Sequence, residues 1–242
     1  LAERDLSAYL LTTAAMAVMV TTCQGSWARR TIATIIANRA TDGEGINHRL
    51  STLGINGIGG GILTVEAGNK VTSGTARLTL TELGLSAGSV QTTAINPTNA
   101  SVTIGNISKV ANAPVQTVEL GGTSADNFVT GTIANGTATV NLIKSGSSTW
   151  TISSGNNTFT GTTTIGTANG AGALKVTASG ALGTGTILFD ASGGVPGPTS
   201  RLELSGDITL ANAITLFQRN NTSSAILSTS GNNTLSGAID LN

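Results

Sequence analysis

The feature that most constrains the fold of this chain is a seven-residue motif that occurs twice. It reads Gly-Asn-Asn-Thr-Phe-Thr-Gly at 155–161 and Gly-Asn-Asn-Thr-Leu-Ser-Gly at 231–237. Around the first copy, residues 142–165 alternate apolar residues with Ser and Thr and contain a single charged side chain, Lys144. Repeated strand-and-turn units are typical of a solenoid, in which each unit buries its apolar face only against its neighbours.

The composition agrees with an extended β protein. The 242 residues include 32 Gly and only 12 basic and 12 acidic side chains, so the formal net charge is zero. A disordered chain would contain fewer β-branched residues or more charge. Nucleic acid and anionic membranes select basic surfaces, so the neutral composition predicts that no nucleic acid is a partner.

The first 28 residues differ from the rest. Residues 10–20 form an uncharged, largely apolar run that is shorter than the roughly 20 residues of a spanning helix. Ser26 and Ala28 follow this run as small residues typical of a signal-peptidase site. We interpret 1–28 as a signal-peptide-like helical segment that is removed on export; a retained buried helix and a membrane anchor are the alternatives.

The remaining chain divides into two parts. Residues 29–45 have the apolar spacing of a short helix and are interpreted as a linker or as an N-terminal cap of the solenoid. Residues 46–242 consist of short alternating segments separated by Gly, Asn and Pro, the pattern of strands and turns. The predicted strands are 62–65, 76–80, 101–104, 115–120, 137–143, 149–152, 158–165, 173–176, 186–189, 201–204, 208–210, 225–227 and 234–241.

Single apolar residues in otherwise polar strands indicate which side chains face the interior. Because side chains alternate between the two faces of a strand, these positions have no other face to bury. The predicted inward residues are Leu142, Trp150, Ile152, Ile165, Leu174, Val176, Leu188, Leu202, Leu204, Leu210, Leu227 and Leu235.

The segment Lys-Ser-Gly-Ser-Ser-Thr-Trp-Thr-Ile at 144–152, with the motif that follows it, resembles the autotransporter-associated β-strand repeat, or passenger-associated transport repeat. The resemblance is specific over 141–190 and weaker over 120–242, with a weak copy at 124–131. Ser147 and Phe159 stand where the repeat usually has Gly and Tyr. The residues that match the repeat are Lys144, Gly146, Trp150, Gly155, Asn157, Thr158, Phe159 and Gly161, and in the second copy Gly231, Asn233 and Gly237.

The resemblance implies an all-β fold, a right-handed parallel β-helix, in the passenger segment of a bacterial autotransporter-like protein that is secreted or held at the cell surface. It also implies that the repeat helps the passenger to cross the outer membrane and to fold as it emerges. We interpret the chain as a non-catalytic stalk. The implied partners are the outer-membrane translocation machinery or a barrel domain that this sequence does not contain. An adhesin or polysaccharide-binding β-helix, with a surface glycan as ligand, is the alternative.

The residues that could carry catalysis are few, and we expect no enzyme activity and no cofactor. His48 is the only histidine and is predicted to lie on the surface, without a partner for a catalytic triad. Glu203 and Asp207 could approach each other across a turn, but they are interpreted as solvated turn acids. Trp150 and Phe159 are expected to pack inside the coil, and an external sugar-binding platform is the alternative.

Overall fold

The strands of this protein form two long sheets whose inward faces share one core. The computed structural model describes residues 16–23, 30–55, 60–85, 91–109, 115–166, 170–189, 199–217 and 222–241. Within these ranges all regular structure is β. The strands are β1 (Met16–Cys23), β2 (Arg30–Ala37), β3 (Gly43–Ile55), β4 (Gly61–Ala67), β5 (Val71–Leu85), β6 (Gln91–Pro97), β7 (Ser101–Lys109), β8 (Val115–Leu120), β9 (Asn127–Val129), β10 (Thr139–Lys144), β11 (Thr149–Ile152), β12 (Thr163–Ile165), β13 (Ala173–Val176), β14 (Ile187–Phe189), β15 (Arg201–Ser205), β16 (Thr209–Leu210), β17 (Ile214–Leu216), β18 (Ile226–Ser230), β19 (Thr234–Leu235) and β20 (Ile239–Leu241).

The order of the strands is that of a β-solenoid. Sheet A contains ten strands in the order β1-β2-β4-β6-β8-β10-β12-β14-β17-β20, and sheet B contains eight in the order β18-β15-β13-β11-β9-β7-β5-β3. Each coil therefore places one strand in sheet A and the next in sheet B. A third, two-stranded sheet joins β16 and β19 on the path back from sheet B. The predicted parallel β-solenoid is confirmed.

The pairing between coils is parallel and in register. The coil length varies from 21 residues, where Leu142 pairs with Thr163, to 32 residues, where Gly61 pairs with Thr93. The eight strands of sheet B are joined by seven parallel pairings, so the solenoid makes about seven turns. At about 4.8 Å between neighbouring strands, seven steps correspond to a rod roughly 34 Å long.

The core is built from alternate residues of both sheets. In β8 and β10 buried and half-buried side chains alternate along the whole strand. The parallel register then stacks the inward residues of successive coils into columns. One column of sheet B consists of Leu78, Val102, Asn127, Trp150, Leu174 and Leu202.

Most of the inward positions predicted from the sequence are confirmed. Nine of the twelve side chains are buried: Leu142, Trp150, Ile152, Ile165, Leu174, Val176, Leu202, Leu204 and Leu210. Leu235 is half-buried and packs against the same core.

Two of the twelve predictions are wrong. Leu188 lies between the buried Ile187 and Phe189 and faces outward. Leu227 pairs with the outward-facing Glu203 and is 40% exposed, while its neighbour Ile226 takes the inward position. Both occur in runs of consecutive apolar residues. In such runs the alternation of hydrophobicity does not define the register, and a shift of one residue exchanges the two faces.

Near the N-terminus, the described residues are strands where the sequence predicted helices, and residues 1–15 and 24–29 of the predicted segments lie outside the described part of the chain. Residues 16–23 and 30–37 form β1 and β2, an antiparallel pair in which Met16 lies opposite Ala37. In β2, the β-branched residues Thr31, Ile32, Thr34, Ile35 and Ile36 favour a strand. Parallel pairing with β4 then overrides the helical spacing. Removal of residues 1–28 and the handedness of the coil stay predictions.

Replacing Leu174 by Ala should destabilise the protein by about 2 to 5 kcal/mol, because the side chain is fully buried and its loss leaves a cavity. Leu188→Ala is the matched control. It should cost less than about 1 kcal/mol because Leu188 faces outward. Urea denaturation followed by circular dichroism measures both. Equal losses for the two variants would contradict the register.

Candidate functional site

The first half of the repeat motif builds the corner between β10 and β11. We define an A-to-B corner as the segment that leads from a strand of sheet A to the next strand of sheet B. Gly146 in this corner has a φ of +63°, and Gly122, one coil earlier, has a φ of +88°. A Cβ atom on Gly146 would lie 2.4 Å from the carbonyl oxygen of Gly122. Only glycine allows both the positive φ and this close stacking of corners.

Trp150 links this corner to the preceding coil by a hydrogen bond. Its indole is fully buried, and Nε1 donates a hydrogen bond of 3.0 Å to the carbonyl of Gly121. The hydroxyl of Ser148 donates to the same carbonyl at 2.6 Å. The buried indole thus packs into the core while its N–H satisfies a corner carbonyl that the strand ladder leaves unpaired.

Lys144 is an ammonium group enclosed by the same corner. The residue is fully buried, and Nζ donates to the carbonyls of Ser145 and Gly146. A side chain at Gly172 in the next coil would approach Nζ to 2.7 Å, so glycine leaves the room that Lys144 needs. Burial lowers the pKa of Lys144 from 10.5 to about 8, and the negative charge of Glu119 partly opposes this shift.

The second half of the motif lies on the path from β11 back to β12, where Asn157 binds three coils together. Its Oδ1 accepts a hydrogen bond of 2.7 Å from the backbone N–H of Ile133 in the preceding coil. Its Nδ2 donates to the carbonyl of Ser154 at 3.1 Å and to that of Ala181, in the following coil, at 2.7 Å. The buried amide therefore supplies bonds where regular strand pairing is interrupted.

Two other asparagines repeat this arrangement. Asn127 accepts from the N–H of Val102 at 2.9 Å and donates to the carbonyls of Ser124 and Thr149. The spacing to Ser124 is the same three residues that separate Asn157 from Ser154. Asn127 lies in the weak copy of the motif at 124–131, and its bonding role was not predicted from the sequence.

Asn233, in the second full copy of the motif, makes two of these three bonds. Its Oδ1 accepts from the N–H of Ile208 at 3.1 Å, and its Nδ2 donates to the carbonyl of Ser230 at 2.8 Å. Its other Nδ2 contacts are to Ser228 and Leu204, whereas Asn157 and Asn127 donate to the following coil. In all three copies the asparagine accepts from a backbone N–H of the preceding coil and donates to the carbonyl three residues before it, so it is a structural element of the coil.

Most of the remaining motif residues are glycines, and two of them allow successive coils to approach closely. A Cβ on Gly161 would lie 2.2 Å from the carbonyl oxygen of Val140, and a Cβ on Gly237 would lie 2.1 Å from that of Asn212. Gly231 has a φ of +75° in a turn. Gly155 and Thr158 are exposed, and no contact of the Thr158 side chain explains its place in the motif.

The aromatic residues of the motif do not form a surface platform. Trp150 and Phe159 are both completely buried, so the expectation that they pack inside the coil is confirmed. The alternative of a sugar-binding platform made by these two rings is wrong, because neither ring can reach a ligand.

The acidic residues considered for catalysis have structural partners. Glu203 accepts from Arg201, with Nη2 at 2.6 Å and Nε at 2.7 Å from Oε1. Asp207 is exposed in a turn with a φ of +57°, and its Oδ1 accepts from the N–H of Asn232 at 2.7 Å. Across the described part of the chain, no group of three or more His, Cys, Asp or Glu side chains could hold a metal ion.

His48 differs from its predicted surface position. It pairs with the buried Leu78 and is half-buried on the inward face of β3. Its Nε2 lies 2.8 Å from the carbonyl oxygen of Asn38. The single histidine thus helps to close the core at the first coil of sheet B.

Comparison of the chain with protein-family models, curated proteins and solved structures finds no match. Among the residues that the structure describes, no helix has the length and apolarity needed to cross a membrane.

Replacing Asn157 by Ala should lower the free energy of unfolding by about 2 to 4 kcal/mol, since the buried N–H of Ile133 and carbonyl of Ala181 lose their partner. Asn156→Ala is the control, because Asn156 is exposed and should cost less than about 0.5 kcal/mol. Thermal unfolding of the two variants provides the comparison. A loss below 1 kcal/mol for Asn157→Ala would remove the asparagine from the stabilising elements.

The pH dependence of stability should depend on Lys144. Between pH 8 and 10.5 the unfolded lysine keeps its proton while the folded one releases it, so stability should rise with pH by up to about 3 kcal/mol. In Lys144→Met this part of the rise should disappear. It should persist in Lys175→Met, because Lys175 lies on the outward face of β13. Identical pH profiles for wild type and Lys144→Met would contradict this prediction.

Proposed function

We propose that this protein is a non-catalytic β-helical passenger segment of an exported bacterial surface protein and that it functions as a stiff stalk. The observation that carries the proposal is the uniform parallel stacking of about seven turns, in which each coil contacts only the coils beside it. Such an array spans distance with a single continuous core. The resemblance of residues 141–190 to the autotransporter-associated repeat supports a place at the cell surface or outside the cell.

The same bonding supports a role in secretion. Asn157 reaches only from the coil of Ile133 to that of Ala181, and Trp150 reaches only the corner before it. A coil that emerges on the outer side of the membrane can therefore fold as soon as its predecessor is in place. Each docked coil then opposes backward sliding, so folding biases transport outward.

The proposed partners follow from this route. Export would proceed through outer-membrane translocation machinery or through a barrel domain of the same protein, and the coil would be right-handed like most parallel crossover connections. The chain has a formal net charge of zero and many hydroxyl and amide side chains, so it lacks the excess of basic residues that binding to intracellular polyanions requires. This composition agrees with a location outside the cell.

The experiment compares surface display of the wild type with that of Asn157→Ala and Asn156→Ala, expressed from the full-length gene in its own host. Protease treatment of intact cells, followed by immunoblotting, measures the surface fraction. We expect several-fold less surface protein for Asn157→Ala at equal synthesis, because the middle coils dock less stably. Asn156→Ala should match the wild type. Protein that stays in the cytosol in all three strains would overturn the proposal.

A further inference from the structure

A pocket of about 300 Å³ opens on the outer side of the last coils. Among the described residues, it is lined by Ala171, Thr199, Arg201, Ser223, Ser224 and Leu227. These residues come from three successive coils, at the points where the chain enters β13, β15 and β18 of sheet B. The strand pairing and the bonds of Asn157 and Trp150 hold the coils together without this pocket.

The length of the A-to-B corners sets these coils apart. In the early coils the corner is three residues long, at 68–70 between β4 and β5 and at 98–100 between β6 and β7. In the chain, eleven residues separate β14 from β15, and nine separate β17 from β18. In solenoids, insertions of this kind gather on one face, which is often the binding face. The described residues of the pocket include Thr199 just before β15, Arg201 at its start and Ser224 before β18, the two strands that follow these longest spacings.

The chemistry of the lining is polar but neutral. Arg201 donates to Glu203 through both Nε and Nη2, at 2.7 and 2.6 Å, so the charge of its guanidinium is already compensated. Thr199 and Ser224 add hydroxyl groups, which both donate and accept hydrogen bonds. Leu227 supplies an apolar wall and is 40% exposed because it faces outward from β18.

We propose that this pocket binds a neutral sugar residue of a glycan. A pyranose presents hydroxyl groups that both donate and accept, together with an apolar face of C–H groups. The hydroxyl groups match Arg201 and the Ser and Thr side chains, and the C–H face matches Leu227. An anionic sugar would need an uncompensated cation, whereas the one arginine described in the lining is paired with Glu203.

The size of the pocket limits the ligand and the affinity. Pockets for small ligands occupy about 300 to 1,000 Å³, so this one accommodates a small ligand of one or two sugar units. With few buried contacts the dissociation constant for a single sugar is expected on the order of 1 mM. Useful attachment would then come from several copies on one surface.

The test is a titration of the whole chain, followed by ¹H–¹⁵N correlation spectra. The probes are the methyl glycosides of glucose, galactose, mannose and N-acetylglucosamine, and methyl glucuronide as the anionic arm. We expect at least one neutral glycoside to shift the amide signals of Arg201, Ser224 and Leu227 saturably. Methyl glucuronide should bind about tenfold more weakly, because the guanidinium of Arg201 is paired with Glu203 and leaves its carboxylate without a counter-charge in the described lining.

Two variants assign the binding to the pocket. Arg201→Gln removes the guanidinium and should weaken binding about tenfold, the effect of losing a hydrogen bond from a charged group. Arg77→Gln is the matched control, since Arg77 also faces outward from sheet B, in β5, and does not line the pocket. It should bind like the wild type.

Three outcomes would overturn the proposal. The first is that no neutral glycoside gives saturable shifts up to about 50 mM, a concentration well above the expected dissociation constant. The second is that the glucuronide binds more tightly than any neutral sugar, and the third is that Arg201→Gln binds with unchanged affinity. Each outcome leaves the stalk function unaffected, because surface display of the chain is measured independently.

Discussion

The core described for this protein depends on the parallel pairing of each coil with the next. A single coil has two short strands and cannot bury its apolar residues alone, whereas in-register stacking places Leu78, Val102 and Leu174 in one continuous column. Backbone hydrogen bonds and apolar burial are therefore gained together at each step. At the corners the strands end, and backbone groups there have no partner in the strand pairing. Side chains supply the missing hydrogen bonds.

The repeat motif stabilises the corners in two ways. Glycines such as Gly146 and Gly161 let successive corners approach closely, and Asn157 and Trp150 satisfy backbone groups that have no partner in the ladder. A buried asparagine with three bonds to three coils also defines the register, because a slip of one residue would leave those bonds unmade. Lys144 shows that the same corner tolerates a buried ammonium group when carbonyl oxygens surround it.

Departures from the regular coil are concentrated in the last turns. There more residues separate the strands of sheet A from the next strands of sheet B, Leu227 faces outward, and Arg201 pairs with Glu203 beside a pocket. A scaffold with regular coils in one part and extended corners in another can combine a mechanical role with a binding surface. This division is physically natural, because insertions at a corner do not disturb the strands that carry the stacking.

The sequence by itself determined the solenoid, the strands around the motif and most of the core. Isolated apolar residues such as Leu174 and Ile152 have one possible inward face, and the repeated Gly-Asn-Asn motif marks equivalent corners. The tertiary structure decided the orientation of side chains in consecutive apolar runs and the contacts between coils, which the local sequence pattern leaves open. It placed Leu188 and Leu227 outward, because consecutive apolar residues fit either face until a neighbouring strand sets the register. It made 30–37 a strand, and it revealed the bonds of Asn127 and the enclosure of Lys144 beside Gly172. Each of these depends on a coil more than 20 residues away in the chain.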